Sequence, residues 1–215
     1  MIASEQQARD WLEQVAGCDA PTMERLDQLI ALLVEENQRQ NLVAAATLPS
    51  VWQRHIVDSA QLVPLARGQG ELSGPWLDLG TGAGFPGLVI ALLLPEVEVI
   101  MVESRARRVE WLERACAALG LANGRVVKSR LELVESRPCR VISARAFAPL
   151  DRLVELAARF STADTLWLLP KGRSARQEVD QLRGWQHTFH VEHSITDPEA
   201  GIIVGTLAGS KGRKQ

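Results

Sequence analysis

The sequence predicts an α/β fold, in which a mostly parallel, doubly wound sheet is preceded by a helical extension. Helical periodicity fills residues 1–70, whereas from Trp76 onward short apolar runs alternate with amphipathic segments. A glycine-rich stretch over residues 67–75 separates the two regions. Alternating strands and helices are typical of a parallel sheet that binds ligands at the carboxyl ends of its strands.

Three helices are expected in the extension. Residues 4–16 and 22–41 show helical periodicity, and Thr22 is the expected N-cap of the second helix. The third helix is expected over residues 49–66. The helices expected in the rest of the chain are 105–119, which ends before Gly120, and 149–160 and 175–182.

Seven strands are expected after the extension. The last two form a hairpin, with Asp197 and Pro198 in its turn. The expected strands are 76–79, 97–102, 124–129, 140–144, 165–169, 187–194 and 202–207. The chain is therefore divided into a helical extension (1–70), a ligand-binding body (71–209) and a basic tail (210–215).

Composition excludes several classes of protein. A chain of 215 residues suits one large domain or a core with an extension. Its three cysteines, Cys18, Cys116 and Cys139, show no C-x-x-C spacing, so neither a disulfide framework nor a zinc site is expected. Residues 1–14 lack the apolar run of a signal peptide, and the apolar run 88–94 is too short to cross a membrane. We expect a cytoplasmic protein that holds no metal and contacts no membrane.

Charge is distributed unevenly along the chain. The formal net charge is −2, but residues 1–75 hold five basic and ten acidic residues, and residues 76–215 hold nineteen and sixteen. Residues 103–145 alone contain ten basic and five acidic residues. Together with the basic tail, this positive charge is compatible with a polyanionic partner. The alternative is that these arginines form the solvated faces of helices.

The run over residues 76–87 is the most informative part of the chain, because it combines a buried strand, an acid and a glycine-rich turn. Residues 82–87 match G-x-G-x-x-G, the dinucleotide fingerprint. Residues 78–84 match acidic-x-G-x-G-x-G, which resembles motif I of the class I S-adenosylmethionine-dependent methyltransferases. The apolar run stops at Leu79, which places Asp78 at the carboxyl end of the strand and favours the methyltransferase register. An acid there can bind the amino group of a methionine moiety but suits a pyrophosphate poorly.

In the methyltransferase register, the cofactor contacts lie on the glycine loop and at the end of the next strand. Glu103, about 20 residues past the glycines, is placed to accept hydrogen bonds from the ribose hydroxyls. The alternative is that Glu103 pairs with Arg105 or Arg107. The candidate contacts on the loop, with the last beside the methionine end of the cofactor, are Asp78, Gly80, Gly82, Gly84 and Phe85.

Two further candidates follow the third strand. Leu131 and Glu132 stand where methyltransferases of this class hold the adenine edge. Glu132 is expected to accept a hydrogen bond from the adenine amino group, while the backbone near Leu131 contacts the ring. The alternative for Glu132 is a solvated acid that starts a short helix.

Several motifs outside the glycine loop carry a more specific resemblance. They are the run 143–148 (SARAFA), the run 170–172 (PKG), Asn37-x-x-x-Asn41-Leu42 and His55-x-x-Asp58-Ser59. With the loop, they resemble the ribosomal RNA small-subunit methyltransferase G family, also called glucose-inhibited division protein B, over nearly the whole chain. Two positions depart from the family pattern: Arg140 stands where Asp is usual, and Val43 where Thr is common.

The resemblance implies a class I methyltransferase with a Rossmann-like, mostly parallel seven-stranded sheet. It implies S-adenosylmethionine as cofactor, 16S ribosomal RNA or the 30S subunit as partner, and methyl transfer to N7 of one guanine. N7 carries an unprotonated in-plane lone pair at neutral pH, so direct in-line transfer requires alignment rather than a general base. The alternatives are a small-molecule methyltransferase, an NAD(P)-dependent oxidoreductase and a noncatalytic cofactor-sensing or RNA-binding module. We expect a monomer.

Arg145, at the exit of the fourth strand, is the candidate for orienting the methionine end of the cofactor and the target base, or for binding a phosphate. The alternative for Arg145 is a salt bridge to Asp78. His55 and Asp58, three residues apart on a helix, are expected to brace each other or the junction of the extension with the body. Trp52 and Trp111 are expected to be buried rather than to stack on bases.

Four basic residues are candidates for contact with RNA. Lys171, which follows the fifth strand, is expected to hold an RNA phosphate or guanine O6. The alternative for Lys171 is a solvated lysine. The other three candidates are Arg105, Arg107 and Arg173.

Overall fold

The computed structural model describes residues 1–210. The predicted basic tail, apart from its first residue, lies outside the described residues. The described chain contains an eight-stranded sheet with helices on both faces. Its strands lie in the order β3-β2-β1-β4-β5-β8-β6, and β7 also pairs with β8. The strands are β1 (Trp76–Leu79), β2 (Val99–Glu103), β3 (Gly124–Lys128), β4 (Val141–Ala144), β5 (Leu166–Lys171), β6 (Trp185–His187), β7 (His190–His193) and β8 (Gly201–Ser210).

The predicted α/β class with a mostly parallel sheet is confirmed. Strands β1 to β5 pair in parallel, and β8 pairs antiparallel with β5, β6 and β7. The expected count of seven strands is wrong by one, because the strand expected over residues 187–194 is two short strands along β8. The two strands are separated at Thr188 and Phe189, whose backbone packs closely against Gly205. A Cβ added to Gly205 would lie only 2.8 Å from the backbone of Thr188.

The extension begins with two regular helices, α1 (Glu5–Gln14) and α2 (Ala20–Asn37). The expected N-cap at Thr22 is wrong. Asp19 caps α2 instead, its carboxylate accepting from the backbone N–H of Thr22, because Pro21 is already favoured in the first helical turn. The helix also ends earlier than expected, since the Asn37 side chain accepts from the N–H groups of two later residues and turns the chain.

The third expected helix is present as an irregular series rather than a single helix. A 3₁₀ helix (Ala45–Ser50) is followed by a π-helical turn (Trp52–Val57), α3 (Asp58–Ala60) and α4 (Leu62–Arg67). The Glu5 carboxylate accepts from the N–H groups of Trp52 and Gln53, where the π-helical turn begins. Such turns are frequent at functional sites.

The helices of the body alternate with strands as predicted. Gly120, with a φ of +61°, follows the second of them as the expected helix-ending glycine. The helices are α5 (Gly87–Leu93), α6 (Ala106–Ala118), α7 (Leu150–Ala157) and α8 (Ala175–Gln181).

Two apolar layers cover the sheet. One contains the buried stripe Leu26, Leu29 and Leu33 of α2, packed in the same cluster as α5 and α6. The other contains α7 and residues of the final hairpin. The Arg25 guanidinium donates to the carbonyl of Leu119 at the end of α6, so the extension is joined to the body by polar contacts as well. The extension therefore shares a hydrophobic core with the body, and the boundary near residue 70 stays a prediction.

No helix within residues 1–210 is long and apolar enough to cross a membrane. A cluster of three or more His, Cys, Asp or Glu side chains that could hold a metal ion is not found in this part of the chain either. All three cysteines are buried and free, and burial raises the pKa of each thiol to about 11.

Candidate functional site

The glycine loop follows β1 and turns sharply at Gly80. The φ of Gly80 is +61°, and a Cβ at this position would lie 2.2 Å from the ring of Phe147. Both the backbone conformation and the close packing therefore require glycine. Gly82 also has a positive φ of +58°, but a Cβ there would meet no atom closer than 3.4 Å.

Asp78 lies beneath the loop and is fully buried. Its Oδ2 accepts from the N–H of Gly87 at 3.0 Å, and its Oδ1 accepts from the Ser143 hydroxyl at 2.8 Å. The Ser143 oxygen in turn accepts from the indole N–H of Trp76 at 2.9 Å. Burial raises the pKa of Asp78 to about 6, against the opposing effect of these hydrogen bonds. Asp78 thus joins the start of α5 to β4, and its contact with a cofactor stays a prediction.

Glu103, at the end of β2, is 6% exposed and faces the loop. Its Oε2 accepts from the N–H of Gly82 at 3.1 Å, and its Oε1 accepts from the N–H groups of Ser104 and Arg105. The arginine side chain that approaches Glu103 is Arg108, at 3.8 Å, and not Arg105 or Arg107 as the alternative proposed. A carboxylate has about four acceptor positions, so one on Oε2 is left for a ligand.

A first cavity of about 300 Å³ opens at this edge of the sheet. It brings together four of the predicted cofactor residues, two from the ends of β1 and β2 and two from the segment after β3. Leu131 is buried, whereas Glu132 is exposed and lies 3.7 Å from Arg130. The wall of the first cavity includes Gly80, Glu103, Arg108, Leu131, Glu132, Ala146 and Phe147.

Arg145 extends from the end of β4 toward the extension. Its guanidinium donates to Asp58 Oδ2 at 3.1 Å and lies 5.5 Å from the centroid of the Phe85 ring. The alternative of a salt bridge to Asp78 is wrong, because the oxygens of Asp78 are directed at Gly87 and Ser143 beneath the loop.

His55 also contacts the Arg145 guanidinium. The Thr47 hydroxyl donates to the carbonyl of Ala44, so its oxygen accepts from His55 Nε2 at 2.8 Å. His55 Nδ1 is then unprotonated and accepts from Arg145 at 3.4 Å. Burial lowers the pKa of His55 to about 4, and the charges of Arg145 and Arg54 lower it further, so the imidazole is neutral at pH 7.

The side chains of His55 and Asp58 each contact Arg145, whereas the hydrogen bond between the two residues joins only their backbones. Asp58 also accepts from the hydroxyl of Thr196 in the final hairpin, at 2.9 Å. The two residues therefore brace the junction between extension and body, which is one of the two roles expected from the sequence.

A second cavity of about 470 Å³ lies at this junction. Lys171 is on its wall but is mostly buried, because its ammonium donates to the carbonyl of Ala148 at 2.7 Å and to Glu178 at 2.8 Å. The alternative of a solvated lysine is therefore wrong. The wall of the second cavity includes Val43, Ala44, Arg54, His55, Asp58, Arg145, Ala146, Pro170, Lys171, Gly172, Asp197 and Ile202.

The other predicted residues are dispersed. Arg105 lies at the first cavity, Arg107 donates to the carbonyl of Arg39, and Arg173 is exposed and paired with Glu199. Trp52 and Trp111 are buried, as expected, and the Trp111 indole donates to the carbonyl of Ala83.

Three residues on these walls were not assigned roles from the sequence. Arg108 is the basic neighbour of Glu103, and its place in the first turn of α6 is the signal that could have identified it. Phe147 packs on Gly80, and Ala146 is the one described residue other than glycine with a positive φ, +52°. Both belong to the run 145–148 (RAFA), which is part of a motif that carried the family resemblance but indicated no structural role.

The strand order, the loop and the acid at the end of β2 define a class I S-adenosylmethionine-dependent methyltransferase. Two solved structures have this fold. One, cofactor-bound Rv0187 from MTB, aligns with a TM-score of 0.66 and 13% identity, over 98% of this chain and all of that chain. The other, a mutant of MtNAS in complex with S-adenosylmethionine, aligns with a TM-score of 0.57 and 14% identity, over 95% and 84%.

The chain belongs to the rRNA small subunit methyltransferase G family, whose model matches residues 22–197. Ribosomal RNA small subunit methyltransferase G of Novosphingobium aromaticivorans is 57% identical over 211 residues, which cover 98% of this chain and 91% of that protein. The protein of the same name from Zymomonas mobilis is 47% identical over 210 residues, covering 95% and 94%. The resemblance found in the sequence is thereby confirmed.

Proposed function

We propose that this chain transfers the methyl group of S-adenosylmethionine to N7 of one guanine in 16S ribosomal RNA by direct in-line transfer. The observation that carries the proposal is the family match over residues 22–197, which includes the glycine loop and most of both cavity walls. No observation favours a small-molecule acceptor over RNA.

The first cavity fits the nucleoside part of the cofactor. Glu103 has one free acceptor position toward it, which suits a ribose hydroxyl. Leu131 and the Glu132 carboxylate form a mixed apolar and acceptor wall, which suits the ring and amino group of adenine.

The loop and Arg145 are assigned to the methionine part of the cofactor. We place it near Asp78, Gly82, Gly84 and Phe85, where the loop backbone can be approached closely at Gly82, because a Cβ there would meet no atom closer than 3.4 Å. When bound, S-adenosylmethionine supplies an electrophilic methyl group. The chain supplies alignment, since guanine N7 needs no proton removed before it reacts.

Arg145 is the residue that we assign to alignment. Asp58 and neutral His55 hold its guanidinium from one side, and the Phe85 ring lies on another. A guanidinium held by a carboxylate and a ring keeps a fixed plane, and its remaining N–H groups can orient a base or the cofactor carboxylate.

We further propose that the protein acts in the cytoplasm as a monomer, without a metal ion, on 16S rRNA or the 30S subunit. The buried, free cysteines suit a reducing compartment. RNA phosphates are assigned to Arg105, Arg107 and Arg173, and the phosphate or guanine O6 to Lys171.

The test is transfer of labelled methyl from S-adenosylmethionine to 30S subunits and to naked 16S rRNA, both from cells that lack this protein. We expect label in 7-methylguanosine at one position after nucleoside mass analysis. Cofactor binding without label in any RNA would contradict the proposal and favour a small-molecule acceptor. Label in another nucleoside would contradict the N7 assignment alone.

A further inference from the structure

We infer that the second cavity receives the target guanine, extruded from the RNA, and that the N-terminal extension forms one wall of this base-binding site. The inference rests on the proposed function, because it requires a guanine acceptor. It gives the extension a direct part in recognising the base rather than only the RNA backbone.

The position of the second cavity is the first argument. Ala146 lines both cavities, so a base in the second would meet a cofactor held in the first at this residue. Ala146 has a φ of +52°, which is uncommon for a residue with a side chain. This conformation sends the neighbouring side chains apart: Phe147 reaches the first cavity and Arg145 the second. Strain of this kind concentrates at ligand sites.

The charges on the wall are the second argument. Guanine presents two acceptors, N7 and O6, along the edge that is methylated. Arg145 and Lys171 supply donors at the ends of β4 and β5, and both are less than a quarter exposed. Asp58 and Asp197 supply carboxylates to the same cavity, which suits the donor groups of the opposite edge of guanine.

The shape of the wall is the third argument. Val43, Pro170 and Ile202 give the second cavity apolar surfaces, which suit the faces of an aromatic base. Its volume, about 470 Å³, lies within the range of roughly 300–1,000 Å³ usual for small-molecule sites. A base inside an RNA helix cannot reach such a cavity, so recognition requires an unpaired or extruded nucleotide.

The wall from the extension is held in place by several contacts. His55 joins Thr47 to Arg145, and Asp58 joins Arg145 to Thr196. Gln53 donates to the carbonyls of Ile2 and Thr196, at 2.7 and 3.0 Å. The wall is therefore fixed before RNA arrives, as a specific base site requires.

The test obstructs the second cavity from two opposite walls. Ala44, from the extension, is exposed, and a Cβ at Gly172, from the body, would meet no atom within 4 Å. Ala44→Trp and Gly172→Trp should therefore fold and fill the cavity. The matched control is Ala46→Trp, an exposed position two residues away that is not on the wall.

We expect both obstructing variants to lower kcat/KM for methyl transfer to 30S subunits by about 100-fold, because the base can no longer reach its position. Calorimetry should give a Kd for S-adenosylmethionine within about twofold of wild type, and Ala46→Trp should resemble wild type in both measurements. Wild-type transfer by both obstructing variants would overturn the inference. So would loss of cofactor binding in both, since the cavity would then hold the cofactor.

These outcomes are distinct from failure of the proposed function. If the wild-type protein itself methylates no RNA, the proposed function fails and the base site fails with it. If wild type is active and the obstructing variants are equally active, only the base site is wrong. Should one tryptophan variant unfold at the assay temperature, the other, from the opposite wall, decides the question.

Discussion

The first cavity is formed by residues 80–147, all from the body, whereas the second draws on residues from 42 to 202. The first is governed by backbone geometry, since glycines and main-chain N–H groups surround Glu103. The second is governed by side chains that meet from three parts of the chain. We therefore propose a division of roles between the two cavities. The body holds the cofactor in the first cavity, and the junction with the extension selects and orients the acceptor base in the second.

The largest effect is expected for Arg145→Ala. Removing the guanidinium leaves base and cofactor unaligned, so kcat/KM for 30S methylation should fall by about 1,000-fold. Because Arg145 is also assigned to the methionine part of the cofactor, the Kd for S-adenosylmethionine should rise, but by a much smaller factor than kcat/KM falls, since the loop holds the cofactor as well. Single-turnover transfer and calorimetry measure the two quantities. A variant that loses cofactor affinity as strongly as turnover would break the proposed division.

Gly82→Asp should have the next largest effect, on the other cavity. An aspartate tolerates the positive φ of this position, so the fold should survive. A Cβ at this position would lie 3.4 Å from the Arg108 guanidinium, so the new carboxylate would pair with Arg108 and stand between the loop backbone and the cofactor. We expect the Kd for S-adenosylmethionine to rise by about 100-fold.

The matched control for this charge effect is Gly82→Asn, which has the same shape and no charge. Its Kd should stay within about tenfold of wild type. Equal losses in the Asp and Asn variants would show that shape rather than charge sets the effect. An unchanged Kd for S-adenosylmethionine in both variants would show that Gly82 is not part of the cofactor site.

A smaller effect is expected for Asp58→Asn, because Asp58 acts through Arg145 and is a positioning residue. Loss of a charged hydrogen-bond partner should lower kcat by about tenfold while the KM for S-adenosylmethionine stays constant. Asp197→Asn is the control for loss of a nearby carboxylate that pairs with Arg54 instead. If both variants behave alike, the net charge of the cavity matters and the position of Arg145 does not.

An effect of a different kind is expected for Asp78→Asn, because it concerns stability rather than turnover or cofactor affinity. The pKa of Asp78 is raised to about 6 from 3.8, so its contribution to the free energy of unfolding is fully present below pH 4 and lost as the pH rises through 6. Each unit by which the pKa of Asp78 is raised in the folded state corresponds to about 1.4 kcal/mol in the free energy of unfolding. Relative to wild type, the variant should gain stability between pH 4 and 7, as measured by urea unfolding. A constant difference across this range would contradict the raised pKa.

The same two cavities show what the sequence could and could not predict. Gly80 and Glu103 were identified because strand ends and a glycine loop are local patterns. The one protein partner considered for Arg145 was Asp78, as the alternative to a ligand-binding role, because both lie at strand ends of the body. The actual partner, Asp58, comes from a helical segment 87 residues earlier in the chain, and no local pattern indicates that contact.

The errors in the fold have similar causes. Thr22 was predicted as the cap, and Asp19 was missed, because periodicity locates helix ends only approximately. The segment over residues 49–66 has the composition of one helix, yet it folds as 3₁₀, π and α turns because tertiary contacts such as Glu5 with Trp52 fix its backbone. The strand expected over residues 187–194 is split because the backbone of Thr188 and Phe189 packs closely against Gly205. Gly205 lies on a neighbouring strand, so no local pattern indicates this contact.

The most direct test of the division between the cavities is single-turnover methyl transfer to 30S subunits as a function of S-adenosylmethionine concentration, in Glu103→Gln and in Arg145→Ala. We expect that Glu103→Gln needs more cofactor but reaches the wild-type rate at saturation, whereas no concentration restores Arg145→Ala. A rate for Glu103→Gln that stays low at saturation, or rescue of Arg145→Ala by cofactor, would contradict the division.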